Sequence, residues 1–165
     1  MGWDVEANGL FGAPPITVIT SAEAHPTLFK ALGVVGLGRN RVVKVPVDGQ
    51  GRMRTDALPR ISGPTIVCVQ AGNVNTGSFD PVHEIGPRAR DAGAWVHVDG
   101  AFGLWARVAP GLAHLAEGVE HADQVELPVL AAVLLRKDVR CERDLLTDLP
   151  AVAIREHAPR DRGRE

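Results

Sequence analysis

Apolar residues in this chain fall into short β-branched runs separated by stretches with helical spacing. The first run, Ile16-Thr17-Val18-Ile19-Thr20-Ser21, has the composition of a strand. From Ala24 to Leu37, Leu28, Leu32 and Val35 recur at helical spacing with Pro26 near the start. This predicts a helix weakened and ended by Gly33, Gly36 and Gly38. Val42 to Val47 reads as a second strand leading into a turn at Asp48-Gly49-Gln50-Gly51. Thr55 to Ile61 predicts a short helix with Thr55 as its cap. Thr65-Ile66-Val67-Cys68-Val69-Gln70 shows no alternation, which predicts a strand buried on both faces. Asp80-Pro81 pairs a capping residue with a proline at the first helical position, opening a helix that runs to about Ala92 and stops at Gly93. Ala94-Trp95-Val96-His97-Val98-Asp99 is a further apolar run, again expected to be buried on both faces. Met1 to Pro15 has no period and reads as irregular.

Strands alternating with short helices are the pattern of a parallel α/β layer. The length of 165 residues suits one domain, and no internal repeat or linker interrupts the chain before Asp123. The stretch AWVHVDGAFGLWA, Ala94 to Ala106, organises the rest. Its strand ends on the carboxylate of Asp99, followed at once by Gly100 and Ala101. Ligands of open α/β sheets bind at that carboxyl edge, and small residues there let a flat ligand approach the backbone.

Composition narrows the class. At 45% hydrophobic and 23% charged, the chain is globular rather than disordered. A formal charge of −2 with no basic block before the tail leaves no nucleic-acid footprint. No apolar run approaches the roughly 20 residues that span a bilayer, and the acidic start MGWDVEANG lacks a secretory h-region. Cys68 in an apolar strand and Cys141 in a charged segment form no disulfide framework, which points to a reducing compartment. Fifteen of the 18 basic residues are Arg, leaving Lys30, Lys44 and Lys137 as the lysines, a bias expected of a GC-rich coding sequence.

Read from the residues alone, Asp99 is either a ligand-facing carboxylate or a cap on the turn after its strand. His97 lies two residues earlier and shares its face, so His97-x-Asp99 also has metal-ligand spacing and admits a metal-dependent hydrolase. His25, His83, His114 and His121 are scattered, and no further His/Asp/Glu cluster falls at comparable strand ends. The glycines of Gly33-Val34-Val35-Gly36-Leu37-Gly38 follow a helix instead of opening one, so they do not read as a phosphate loop.

Four stretches together carry a family resemblance. They are His97-Val98-Asp99-Gly100-Ala101; Ala24-His25-Pro26-Thr27-Leu28-Phe29-Lys30-Ala31-Leu32; Gln70-Ala71-Gly72-Asn73-Val74-Asn75-Thr76-Gly77-Ser78-Phe79-Asp80-Pro81; and His114-Leu115-Ala116-Glu117-Gly118-Val119-Glu120-His121-Ala122-Asp123. In order and spacing the chain resembles the pyridoxal-phosphate-dependent decarboxylases of the aromatic-amino-acid and glutamate type, from roughly Gly2 to Asp123. The resemblance implies a mainly parallel sheet flanked by helices, part of the large domain of the aspartate-aminotransferase-like (type I) fold. It implies a pyridoxal 5'-phosphate cofactor, an amino-acid substrate, loss of CO2, a homodimer and a cytoplasmic setting. Asp99 corresponds to the aspartate that meets the pyridine nitrogen, where a carboxylate favours the protonated, electron-withdrawing ring. His25 corresponds to the histidine stacked on the ring, and Ala101 to the small residue beneath it. The family usually has a hydroxyl residue directly after this histidine; here Pro26 intervenes and Thr27 comes one later. Asn73 and Thr76 are candidates for contacts to the ring hydroxyl or substrate, or turn residues satisfying their own backbone.

Two parts of the family's machinery are not found. The phosphate-cradling turn belongs upstream of the first residue. A His-Lys pair, whose lysine forms the internal aldimine, is expected within about ten residues of Ala122-Asp123. That place falls near Leu130 and Ala131, within Gln124-Val125-Glu126-Leu127-Pro128-Val129-Leu130-Ala131-Ala132, and Lys137 stands in an unrelated context. We therefore divide the chain into residues 1–123, a partial cofactor-binding large domain, and residues 124–165, a divergent tail. Arg136 to Glu165 is dense in charge, as in a solvated or disordered tail, or in the product of a reading-frame change. The expectation is a decarboxylase fragment with little turnover. The alternative is a non-catalytic remnant or interaction module.

Overall fold

The computed structural model describes residues 2–126. It contains a five-stranded sheet in the order β2-β1-β3-β4-β5, every described pairing parallel. The strands are β1 Thr17–Ser21, β2 Val43–Val45, β3 Thr65–Gln70, β4 Trp95–Asp99 and β5 Gln124–Glu126. Helix α1, Val5–Asn8, is a single turn that Asp4 caps by accepting from the Ala7 N–H, where an irregular segment was expected. Helix α2 is Pro26–Val34 and α3 is Val82–Asp91.

Several elements are shorter than their patterns predict, each for a local reason. Helix α2 begins at Pro26 with His25 as its cap and is over by Val35; Gly36 and Gly38 beyond it both have positive φ. Strand β2 stops at Val45 because Pro46 has no N–H to give the ladder. The helix expected over Thr55 to Ile61 is only a 3-10 turn, Thr55–Ala57, with no side-chain cap. Pro59 drives Leu58 into extended backbone and ends it. Conversely, Gln124–Glu126 carries the sheet three residues past the boundary expected at Asp123. Leu130, Ala131, Lys137 and Cys141 lie outside the described residues.

The two faces of the sheet differ. Against α3 lies the main core, where Ile19, Val67, Val69, Val96 and Val98 from the strands meet Val82, Ile85 and Ala89. Against α2 lies a small cluster of Val18, Leu32 and Cys68. Strand β3 is covered on both sides, as its unbroken apolar run predicts. Strand β4 is not. Val96 and Val98 are fully buried on the α3 side, while His97 and Asp99 are half-buried and Trp95 is 39% exposed. The expected two-sided burial of β4 fails because the α2 layer covers β1 and β3 and does not extend over β4.

Asp80 corrects a second expectation. It does not cap α3, whose cap position is Pro81. Its carboxylate is 4% exposed and accepts from the Met53 N–H at 2.7 Å and the Gln70 N–H at 2.8 Å. It thereby ties the connection after β2 to the last residue of β3. Burial pushes its carboxyl up from the ordinary carboxylate range, opposed by these two donors. Asp80→Ala is expected to destabilise by about 1–3 kcal/mol for each N–H left buried without an acceptor, read as a lowered midpoint in urea unfolding.

Cys68 sits under α2 at 5% exposure, and burial, helped by the negative charge of Asp99, pushes its thiol up to about 12. The folded thiol stays protonated while the unfolded one ionises from about 9. Stability from this group is present below pH 9 and is lost, by about 1.4 kcal/mol per pH unit, as pH rises towards 12. The chain has no tyrosine to mask the effect. Urea unfolding between pH 8 and 11 should show this alkaline limb, and Cys68→Ala should flatten it.

Candidate functional site

Strand order reverses between β1 and β3, because the chain steps from β1 out to β2 and then back across to β3. The crevice outside the carboxyl ends at such a reversal is where open α/β sheets bind ligands. The segments leaving β1 and β3 carry His25 and Asn73, and β4 ends on Asp99.

The segments after β3 and β4 are locked together by backbone. The Ala71 N–H donates to the Asp99 carbonyl at 2.8 Å, and the Gly103 N–H donates to the Ala71 carbonyl at 2.9 Å. They cross so closely at two glycines that a Cβ on Gly72 would lie 2.4 Å from Gly103 Cα. A Cβ on Gly103 would lie 2.4 Å from the Ala71 oxygen. Gly72 also has φ +89°, so no other residue suits its place.

A cleft of about 410 Å3 lies between α2 and the sheet, running over β3, β4 and β5 from Ile66, Trp95 and Gln124 at their starting ends to Gln70, Asp99 and Glu126 at their carboxyl ends. His25 and Asp99 both line it. Parallel register sets Gln70, Asp99 and Glu126 side by side on β3, β4 and β5. One oxygen of Asp99 accepts from the Ala101 N–H at 3.2 Å, so the carboxylate does cap its turn. Its second oxygen has no protein partner among the described residues and remains available to a ligand. Ala101 continues the turn, and a Cβ on Gly100 would meet the Glu126 carbonyl at 2.7 Å, so the close packing of this turn against β5 calls for glycine there.

His25 caps α2. Its Nδ1 lies 2.8 Å from the Thr27 hydroxyl and accepts from the Thr27 N–H at 3.4 Å. Pro26 fills the first helical position, and the hydroxyl expected directly after the histidine is replaced by that of Thr27 one residue on.

Asn73 and Thr76 stand apart from His25 and Asp99, and neither they nor Ala101 lines the cleft. Asn73 is 5% exposed with its amide fully engaged. Its NH2 donates to the Glu23 carbonyl at 3.0 Å and to Gln70 Oε1 at 3.2 Å; its Oδ1 accepts from the Asn75 and Thr76 N–H groups. It latches the segment after β3 to the one after β1. Thr76 is exposed at the loop tip, with its hydroxyl 2.8 Å from that of Ser78. His97 Nδ1 is 3.3 Å from Gln124 Oε1. No group of three or more His, Cys, Asp or Glu suited to a metal occurs among the described residues. Likewise, no described helix is long and apolar enough to cross a membrane.

Gln70 and Glu126 were not singled out from sequence, and Thr27 only as the hydroxyl that comes one residue later than the family's pattern has it. The first two become neighbours of Asp99 only through strand order, which no local pattern carries. The two described lysines are not at the cleft: Lys44 holds its ammonium 4.8 Å from the centre of the Phe29 ring, and Lys30 lies on α2.

Residues 13–129 match the family model described as the pyridoxal-dependent decarboxylase conserved domain. Acidic amino acid decarboxylase GADL1 of Bos taurus is 32% identical over 130 residues, which is 74% of this chain and 25% of that protein. Cysteine sulfinic acid decarboxylase of Homo sapiens is 31% identical over 162 residues, 93% of this chain and 32% of that protein. The crystal structure of mouse CSAD in apo form superposes with a TM-score of 0.72 at 33% identity, covering 78% of this chain and 30% of the other. Oryza sativa TDC with PLP and tryptamine gives 0.59 at 25% identity, covering 74% and 29%. The chain thus spans about a quarter to a third of the relatives it matches, on the type I fold. It belongs to the pyridoxal-dependent decarboxylase family.

Proposed function

We propose that this chain is a portion of the cofactor-binding large domain of an amino-acid decarboxylase, with a site for pyridoxal 5'-phosphate centred on His25 and Asp99. The observation that carries the reading is that these two residues, 74 positions apart in sequence, line one cleft between α2 and the sheet. The donor set suits the ring end of the cofactor. Asp99 lines the cleft and offers one carboxylate oxygen without a protein partner among the described residues. His25 offers a planar imidazole from the opposite wall.

When bound, the cofactor supplies an electron sink for the bond that releases CO2. Asp99 would hold a proton on the ring nitrogen by accepting it in a charge-assisted hydrogen bond. His25 would stack on the ring and fix its plane. Gly72 and Gly103 would keep Asp99 and Ala101 in register by holding the two strand exits together. Asn73 would act one step removed, by holding the His25 segment against β3. Direct contacts from Asn73 or Thr76 to the ring hydroxyl or substrate have less support, since both side chains are engaged in their own turn.

Lysine chemistry is the part with no support. Neither described lysine lines the cleft, and Leu130 and Ala131 stand in the sequence where the family's His-Lys pair is expected. The proposal therefore includes little or no turnover by this chain alone, a homodimeric cytoplasmic parent enzyme, and residues 124–165 as a divergent segment. The free, buried Cys68 agrees with a reducing compartment.

Titration of the full chain with pyridoxal phosphate, followed by cofactor absorbance, should give saturable binding. Asp99→Asn should weaken it roughly tenfold or more, the loss of one charge-assisted hydrogen bond. Ala101→Leu should weaken it too. Absence of binding by the parent chain would replace this reading with that of a non-catalytic remnant. CO2 release from the cofactor-loaded chain with a panel of amino acids should stay at the blank; clear turnover would overturn the inactive part of the proposal.

A further inference from the structure

The cap of α2 constrains the chemistry of His25. A backbone N–H can only donate, so the contact from the Thr27 N–H makes His25 Nδ1 an acceptor. The Thr27 hydroxyl, 2.8 Å from the same nitrogen, must then donate to it as well. In a neutral imidazole one nitrogen carries the proton and the other the lone pair. With the lone pair on Nδ1 engaged by Thr27, the proton sits on Nε2. Nε2 has no protein partner among the described residues, and His25 lines the cleft.

We propose that Thr27 is a positioning residue that holds His25 as the Nε2–H tautomer, so that neutral His25 acts towards the cleft as a hydrogen-bond donor and not as a proton acceptor. The ligand groups that suit it are acceptors: a carboxylate, a phenolate-type oxygen or a carbonyl. A protonated amine would meet a donor with a donor. This rests on the proposed ligand site only for its consequence; the tautomer is a property of the chain itself.

Pro26 makes the arrangement rigid. Its ring fixes φ at the first helical position, so Thr27 follows His25 through a segment with little freedom, and the hydroxyl returns to Nδ1. Thr27 is itself exposed, and its substitution disturbs no core contact.

The test is imidazole nitrogen NMR on the full chain labelled with 15N-histidine, without cofactor, at a pH of about 8.5, where an ordinary histidine is neutral. His25→Asn identifies the His25 signals. The expected result is a His25 Nδ1 resonance typical of an unprotonated, hydrogen-bonded nitrogen, with the ring proton on Nε2. Thr27→Ser should keep that position. Thr27→Val, which removes the hydroxyl and keeps the backbone N–H contact, should shift Nδ1 part of the way towards the tautomer-averaged position of the chain's exposed histidines, while leaving the urea midpoint within the range of ordinary surface substitutions. A proton on Nδ1 in the parent chain, or an unmoved Nδ1 in Thr27→Val, would overturn the proposal. Because no cofactor is present, failure to bind pyridoxal phosphate would count against the ligand reading and leave the tautomer result standing.

Discussion

The constraint on which the site depends is the crossing of two backbones at Gly72 and Gly103. Strand β4 already pairs with β3 along its whole length, from Trp95 with Ile66 to Asp99 with Gln70. The glycine crossing extends that pairing beyond the sheet, through the bonds from Ala71 to Asp99 and from Gly103 to Ala71. Neither strand exit can move without the other. Asp99, Gly100 and Ala101 are consequently placed by backbone geometry and not by side-chain packing, which is how a site at a sheet edge keeps its shape while staying open.

Charge at this edge is handled by contrast between two aspartates. Asp80 is buried, with both oxygens on backbone donors, and its role ends within the protein. Asp99 has one oxygen held and the other without a protein partner among the described residues, and it lines a cleft together with the neutral thiol of Cys68. A negative Asp99 above an apolar floor suits a cationic ring group, since the low-polarity surroundings strengthen the attraction between them.

Much of the chain's architecture was legible from pattern. The runs at Thr17–Ser21, Thr65–Gln70 and Trp95–Asp99 are strands, and the β-branched composition that predicts them also makes them pack well on a pleated surface. The position of Asp99 at a strand's carboxyl end could be read because a strand's last residue is a local property. Asp80 was misread for the same local reason: Asp-Pro carries a helix-start signal, but the donors that claim its carboxylate, Met53 and Gln70, are distant in sequence. The one-sided exposure of β4 was hidden because an apolar run does not reveal which layers exist to cover it. Thr27 was visible only as a departure from the family's usual wording until its hydroxyl was seen to reach back to His25.

The inequality of the two sheet faces has a consequence for motion. His25 rides on α2, which is docked through the small cluster of Val18, Leu32 and Cys68, whereas Asp99 is anchored by a strand backed by the main core. Local opening free energies follow buried apolar contact, so α2 belongs to the low-stability end of the molecule and the α3 side to the high end. The two walls of the cleft therefore exchange with solvent on different scales. A ligand bridging them would couple the fluctuation of one to the rigidity of the other, and would draw its apparent affinity in part from the order it imposes on α2.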